Sequence, residues 1–208
     1  MPVSNSWEMA LNIVFDLGGV LVRWAPEALI AESFSDPAAR QKVLDGFVAH
    51  ADWQALDRGT LAPRDAVARA SARTGLPARE IAQFLDGVPA SLTPIAETVA
   101  LLEHLKSQGR RLFCLSNMHF ASIDYIERTH GFFRLFDGAV ISCRLNLIKP
   151  EAAIYEHLLG AHGLPANETI FIDDVEANVA AAAQLGMRTI RFQHAAQCAQ
   201  ELQRLGGL

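Results

Sequence analysis

Hydrophobic and polar positions follow two textures along this chain. Short runs of consecutive apolar residues recur at 13–15 (Ile-Val-Phe), 112–115 (Leu-Phe-Cys-Leu), 138–142, 170–172 (Ile-Phe-Ile) and 188–192. Such runs, bounded by glycine or polar turn residues, predict strands buried on both faces, as in parallel sheets. After residue 93 they alternate with stretches of helical spacing. The first, 94–108, places Ile95, Val99, Leu102 and Leu105 on one face and ends at Gly109. Others are predicted at 119–128, at 150–162 with Pro150 in the first turn, at 177–185 and at 195–205. Repeated strand–helix units of this size predict an α/β fold, a Rossmann-like doubly wound parallel sheet with helices on both faces.

Residues 26–91 break the alternation, for no strand pattern occurs there. Pro37, Pro63, Pro77 and Pro89, with Gly46, Gly59, Gly75 and Gly87, divide the stretch into helix-length pieces. The predicted helices are 26–35, 38–49, 51–57, 63–74 and 78–86, with Ser35 and Asp36 as caps before Pro37. An all-helical block between the first and second strands reads as an inserted cap. The expected domains are therefore a core of 1–24 and 92–208 and a cap of 25–91.

Composition narrows the partners. Half of the 208 residues are hydrophobic, enough for one domain carrying an insertion. The net charge is −5 without a Lys/Arg block, which points away from nucleic acid and anionic membranes and towards a small diffusible partner. No apolar run approaches the ~20 residues that cross a bilayer. The opening MPVSNSWEMALN has neither the basic start nor the apolar core of a secretion signal. Cys114, Cys143 and Cys198 lack a metal-type spacing, so they are expected to pack as reduced thiols in a cytoplasmic protein. The pattern leaves the oligomeric state open.

Candidate chemistry sits where the apolar runs stop. The first run ends in Asp16, followed by Leu17-Gly18-Gly19; the second ends in Ser116-Asn117; the fourth ends in Asp173-Asp174; Lys149 precedes Pro150. Taken singly these are ordinary: a turn former, a loop pair, a helix cap, a solvated lysine. Together they fall on the carboxyl side of the predicted sheet, where ligands bind in such folds. Carboxylates from two strands suit Mg²⁺. Asp16 can also serve as a nucleophile that forms an acyl phosphate, with Ser116, Asn117 and Lys149 around the phosphoryl oxygens. The reaction implied is hydrolysis of a phosphate ester.

The segments FDLGGVL, LSN, IKPE and FIDDVEANVAAAAQLGM resemble, in order, the four motifs of the haloacid dehalogenase superfamily of hydrolases. The likeness spans 12–192, and 26–91 falls where that family inserts a cap. It implies Asp16 as nucleophile and metal ligand, Gly18 as a metal ligand through its carbonyl, and Asp174 as the second acidic ligand of Mg²⁺. It further implies Ser116 and Asn117 on phosphate, Lys149 on both phosphate and nucleophile, and Asp173 and Asn178 in support.

One position departs from the pattern. Most phosphatases of the family carry a second aspartate two residues after the nucleophile, where it protonates the leaving group, and here Gly18 stands there. General acid catalysis is worth roughly 10²–10⁴-fold, so the gap matters. In its FDLG and DDxxxN texture the chain resembles the sub-group of sugar-1-phosphate phosphatases and the phosphatase half of soluble epoxide hydrolases; the sugar-phosphate members accommodate a glycine at this position, so the resemblance implies a sugar phosphate as one substrate. Two alternatives remain: a metal-independent 2-haloacid dehalogenase, and a non-catalytic binding module on the same scaffold. Candidate substrate-facing residues are Arg23 and Trp24 at the cap hinge, His119 as a stand-in proton donor, and Trp53. Asp57 and Arg58, before Gly59, are further candidates for the cleft, as are Arg144 and Asn146 before Lys149.

Overall fold

The structure is a computed structural model describing residues 11–208. The N-terminal stretch read above for a secretion signal lies almost wholly outside the described residues. Strand β1 (Asn12–Phe15) leads directly into the helical insert: α1 (Pro26–Ser33), α2 (Pro37–Val43), α3 (Ala51–Arg58), α4 (Pro63–Thr74) and α5 (Ala78–Ser91). The chain returns through α6 (Ala96–Ser107) and β2 (Arg111–Ser116). It continues with α7 (Phe120–Thr129), β3 (Gly138–Ile141), α8 (Ser142–Leu145) and α9 (Ala152–His162), and closes with β4 (Thr169–Asp173), α10 (Glu176–Gln184), β5 (Arg188–Arg191) and α11 (Ala195–Leu205).

All strand pairings are parallel and the sheet order is β3-β2-β1-β4-β5. The chain winds outward from β1 to β3 and then returns to the other side of β1, so the direction of winding reverses between β1 and β4. The central strands β2, β1 and β4 are buried along almost their whole length because both faces are covered, whereas the edge strand β5 buries only Ile190. Ile13 and Phe15 join one core cluster with Leu102 and Ile123, while Val14 joins the other with Tyr155 and Phe171. The insert has its own cluster, in which Phe47, Trp53, Ile81, Phe84 and Val88 meet. Its two connections lie side by side: Arg23 N donates to Thr93 O at 2.8 Å and Ile95 N to Leu21 O at 2.9 Å.

Several boundaries follow local chemistry. Asp36 accepts from Ala38 N and Ala39 N, capping α2 as expected. Three features differ from the sequence reading. Helix α5 runs on to Ser91 through Gly87 and Pro89, because its face of Ile81, Phe84, Leu85 and Val88 is buried and outweighs the backbone bond that proline forfeits. A π-helical turn, Leu44–Val48, occupies the end of the second predicted helix. Pro150 is not in the first turn of α9, which begins at Ala152; the Lys149–Pro150 peptide is cis and Glu151, extended, precedes the helix. The three cysteines are free and buried. Among the described residues no helix is long and apolar enough to cross a membrane.

Candidate active site

Strand register brings the polar residues together at the reversal point of the sheet, where α/β folds leave a crevice. Phe15 is level with Ile172 on one side and Cys114 on the other, so Asp16 and Asp173 emerge side by side and Ser116 ends β2 just beyond. Asp16 N donates to Ile172 O at 2.9 Å, extending the ladder by one bond and fixing the direction of its side chain.

Lys149 fills the space between the acids. Its Nζ lies 2.8 Å from Asp16 Oδ1 and 2.6 Å from Asp173 Oδ2, and it donates to Leu115 O at 3.0 Å. Two hydrogen-bond acceptors, Asp173 and the Leu115 carbonyl, and the ion pair with Asp16 are what permit a lysine whose side chain is 1% exposed. Burial alone would lower its pKa, but Asp16 and Asp173 outweigh burial and hold the ammonium well above its usual value. For Asp16 burial wins, raising the carboxyl to about 7 against the pull of Lys149, with Asp173 adding to the rise. Lys149 is thus fixed as a cation, and Asp16 is still short of positive charge.

The supporting residues are spoken for. Asp173 Oδ1 accepts from Val175 N at 2.8 Å, and Asn178 Nδ2 reaches both of its oxygens. Tyr155 Oη donates to Asn178 O at 3.0 Å and holds that turn. The Asn117 amide grips the backbone of Lys149 at both ends, Nδ2 to O and Oδ1 from N, each at 2.9 Å. Its side chain therefore positions Lys149.

Asp16, Asp173 and Asp174 each offer an oxygen within 4.8 Å of the others. Fully ionised, the three carboxylates exceed the one ammonium by two negative charges, the charge of one divalent cation. Asp16 Oδ1 is buried without an aligned hydrogen-bond donor. Asp173 already has its partners, so Asp16 and Asp174 are the carboxylates of this cluster that remain for a cation, and hard oxygen donors suit Mg²⁺.

Above these groups is a cavity of about 190 Å³. Its walls include Trp24, Trp53, Val88, Leu92 and Met118, and its polar rim includes Asp57, Asn117, His119 and Ser122. Trp24 packs on Trp53 at 5.5 Å between ring centroids, and Trp53 meets the His119 ring edge-on at 6.1 Å. Burial lowers the His119 pKa to about 4 and its Nε2 is bonded to Ser122 Oγ, so the ring is neutral and a poor proton donor.

Of the candidates from sequence, Asp16, Gly18, Trp24, Trp53, Asp57, Asn117, His119, Lys149, Asp174 and Asn178 line this cavity, and Ser116 and Asp173 lie buried against Asp16. Arg23 does not: it is exposed, and only its neighbour Trp24 lines the cavity. Arg144 also points elsewhere, to Glu127 through two bonds of 2.8 Å. Asn146 and Arg58 bond to each other behind the cavity rather than in it. Val88 and Leu92 lie beyond residue 86, where sequence predicts the helix to end. Met118, directly after LSN, carried no signal beyond its neighbours.

A doubly wound sheet with acids from two strands and a buried lysine at its reversal point forms the ligand crevice of a Rossmann-like α/β protein. The chain belongs to the haloacid dehalogenase-like hydrolases, whose family model matches residues 12–186. It is 31% identical over 194 residues to the sesquiterpene phosphatase astK of Aspergillus oryzae, covering 93% of this chain and 95% of that one. To the bifunctional epoxide hydrolase 2 of Mus musculus it is 38% identical over 72 residues, 35% of this chain and 13% of the relative. Among solved structures, a family enzyme of Bacteroides thetaiotaomicron in complex with magnesium and inorganic phosphate superposes with a TM-score of 0.70 at 22% identity, over 88% of this chain and 94% of that one. The L-2-haloacid dehalogenase RSc1362 superposes at 0.66 and 24% identity, over 86% and 84%. The fold is common to both chemistries, so the side chains must separate them.

Proposed function

We propose that the chain is a Mg²⁺-dependent phosphatase acting on a small phosphate monoester through Asp16. The observation that carries this reading is the charge at the site: Asp16, Asp173 and Asp174 share a single ammonium, an arrangement short of two positive charges. A dehalogenase needs no such excess, and a binding module has no use for a buried nucleophile held against lysine.

In this reading one Asp16 oxygen attacks phosphorus in line, and the phosphoryl oxygens are bound by Lys149 Nζ and Ser116. Asn117 and Asp173 keep Lys149 in place from opposite ends, and Asn178 keeps Asp173. Asp16, Asp174 and the Gly18 carbonyl would hold Mg²⁺, which when bound supplies charge neutralisation to the phosphoryl group. Water then hydrolyses the aspartyl phosphate. The helical insert, residues 25–91, serves as a cap on the core of 1–24 and 92–208 and keeps bulk water from the reacting atoms.

The cavity also bears on the substrate. Trp24, Trp53, Val88, Leu92 and Met118 give an alcohol portion little to hydrogen-bond with, which favours an apolar alcohol over a sugar and accords with the sesquiterpene phosphatase relative. At about 190 Å³ the space is below the ~300–1,000 Å³ of larger ligand sites, so it suits the reacting end of such an ester rather than a long chain. The test is a turnover panel of apolar, sugar and nucleotide monophosphates and 2-haloacids, with and without Mg²⁺. Mg²⁺-dependent phosphate release that disappears in Asp16→Asn is expected. Halide release without metal, or no turnover at all, overturns the reading.

A further inference from the structure

Release of an alkoxide requires a proton at the departing oxygen, and residue 18 supplies none. The fold does not impose this gap, because a Cβ at Gly18 would meet nothing nearer than Trp24 Cβ at 3.9 Å. A carboxylate reaches the same cavity from the insert: Asp57, in the last turn of α3, lines it together with Asp16, Gly18 and Lys149.

Asp57 is held in place by the core rather than by the insert alone. Ser142 Oγ donates to the Asp57 carbonyl and accepts from Met118 N at 2.9 Å, tying the end of α3 to the loop that follows Ser116 and Asn117. Asn146 Nδ2 donates to Arg58 O at 3.1 Å, and the Arg58 guanidinium pairs with Glu151. Gly59, at φ +80°, brings the backbone so near α8 that a Cβ there would stand 2.9 Å from Cys143 Cα. Four contacts within three residues fix this turn over the site.

The surroundings of its carboxyl are those of an acid kept protonated. The backbone N–H of His119 and the side chain of Trp53 face it, Asp16 acts on it from the end of β1, and the Cys143 thiol lies within its field on α8. None of these is a cation. Burial raises the carboxyl to about 7, the charge of Asp16 adds to this, and the two facing donors only moderate it.

We propose that Asp57 is the general acid–base of this site, a catalytic residue delivered by the insert to the position that Gly18 leaves empty; the assignment rests on the phosphatase reading. As Asp16 forms its bond to phosphorus, the bond from phosphorus to the leaving oxygen breaks and that oxygen takes the Asp57 proton, leaving as the alcohol. The Asp57 carboxylate then accepts a proton from water as the water oxygen attacks phosphorus and the bond to Asp16 breaks. Phosphate departs, Asp16 is a carboxylate again and Asp57 is protonated for the next turnover.

The experiment compares wild type and Asp57→Asn, with Mg²⁺, on n-butyl phosphate, whose alkoxide is a poor leaving group, and 4-nitrophenyl phosphate, whose phenoxide needs no proton. The expected loss in kcat is about 10²-fold or more on the butyl ester and only a few-fold on the aryl ester. Equal losses on both, or none on the butyl ester, overturn the assignment. Should Asp57→Asn not fold, wild type decides on a series of phenyl and alkyl phosphates. A shallow dependence of rate on leaving-group basicity supports a proton donor, and a steep fall overturns it. Wild-type protein that cleaves neither ester defeats the phosphatase reading and this assignment with it.

Discussion

The backbone of Gly19 lies directly against the carboxylate of Asp174: a Cβ built there would stand 2.7 Å from Asp174 Cγ, and closer still to Oδ2. Gly19 also has φ +75°, which side-chain-bearing residues adopt only at a cost. The second glycine of the FDLGG segment is therefore the one that the proposed metal site needs. Gly19→Ala is expected to push Asp174 out of line, lowering stability by about 1–3 kcal/mol through backbone strain. It should also raise the Mg²⁺ concentration for half-maximal turnover at least tenfold. Thermal melting and Mg²⁺ titration read the two effects separately.

Lys149 and Asp16 should respond differently to removal. In Asp16→Asn the ammonium keeps Asp173 and the Leu115 carbonyl, so the variant is expected to fold normally and to be inactive. Lys149→Met leaves Asp16 and Asp173 buried together without a counter-charge. Breaking a buried pair in this way costs about 3–5 kcal/mol, which for a chain of this size lowers Tm on the order of 10 °C. Melting curves of the two variants at pH 8 without Mg²⁺ make the comparison, and equal stability would contradict the electrostatic account.

Asp57 predicts a pH profile. Its carboxyl, raised to about 7, carries the proton below that pH and loses it above, so turnover of alkyl esters falls about tenfold per unit as pH rises past 7. Stability has the matching sign. Between the ordinary 3.8 and about 7 the folded chain holds a proton that the unfolded chain has released, so the contribution of Asp57 declines as pH climbs through that window. Asp16 is shifted in the same direction, so the share of Asp57 is the difference between wild type and Asp57→Asn. That variant should lose both the alkaline limb and its part of the slope.

The two tryptophans of the cavity do different work. Trp53 is 8% exposed and packs on Phe47 at 5.3 Å and Phe84 at 6.4 Å within the insert, so Trp53→Ala is expected to cost about 3–5 kcal/mol in stability. Trp24 is half-buried at the hinge and covers Trp53. Trp24→Ala should mainly raise KM for apolar esters, several-fold, while inhibition by inorganic phosphate, which has no alcohol portion for Trp24 to cover, changes little.

Much of this was legible in the sequence, for an identifiable reason. Parallel strands covered on both faces are apolar throughout, so the first polar residue after each run marks where it leaves the core; Asp16, Ser116 and Asp173 stand at such positions, and the register aligns them. The insert was harder. Pro89 and Gly87 read as an end of α5 because local propensity knows nothing of the buried Phe84 and Val88 on either side. The proximity of Asp57 to Asp16 depends on contacts between residues more than 80 positions apart, Ser142 with Asp57 and Asn146 with Arg58, for which periodicity has no signature. Arg23 shows the opposite limit: it adjoins a cavity residue in sequence and is itself exposed outside the cavity.

Gly18 offers the most direct test of how this site is divided between core and insert. Its Cβ position is open, its backbone is not in the left-handed region, and its place beside Asp16 lines the same cavity as Asp57. A carboxylate introduced there faces Asp16 at short range, and repulsion between like charges would keep it protonated near neutral pH. In an Asp57→Asn background, Gly18→Asp is therefore expected to restore at least tenfold of the lost n-butyl phosphate turnover while changing the aryl ester far less. Recovery confined to the poor leaving group would show that what Asp57→Asn removed was a proton and not a contact. Recovery of both esters alike, or of neither in a protein that still folds and cleaves the aryl ester, would show that the two positions are not interchangeable sources of the same proton.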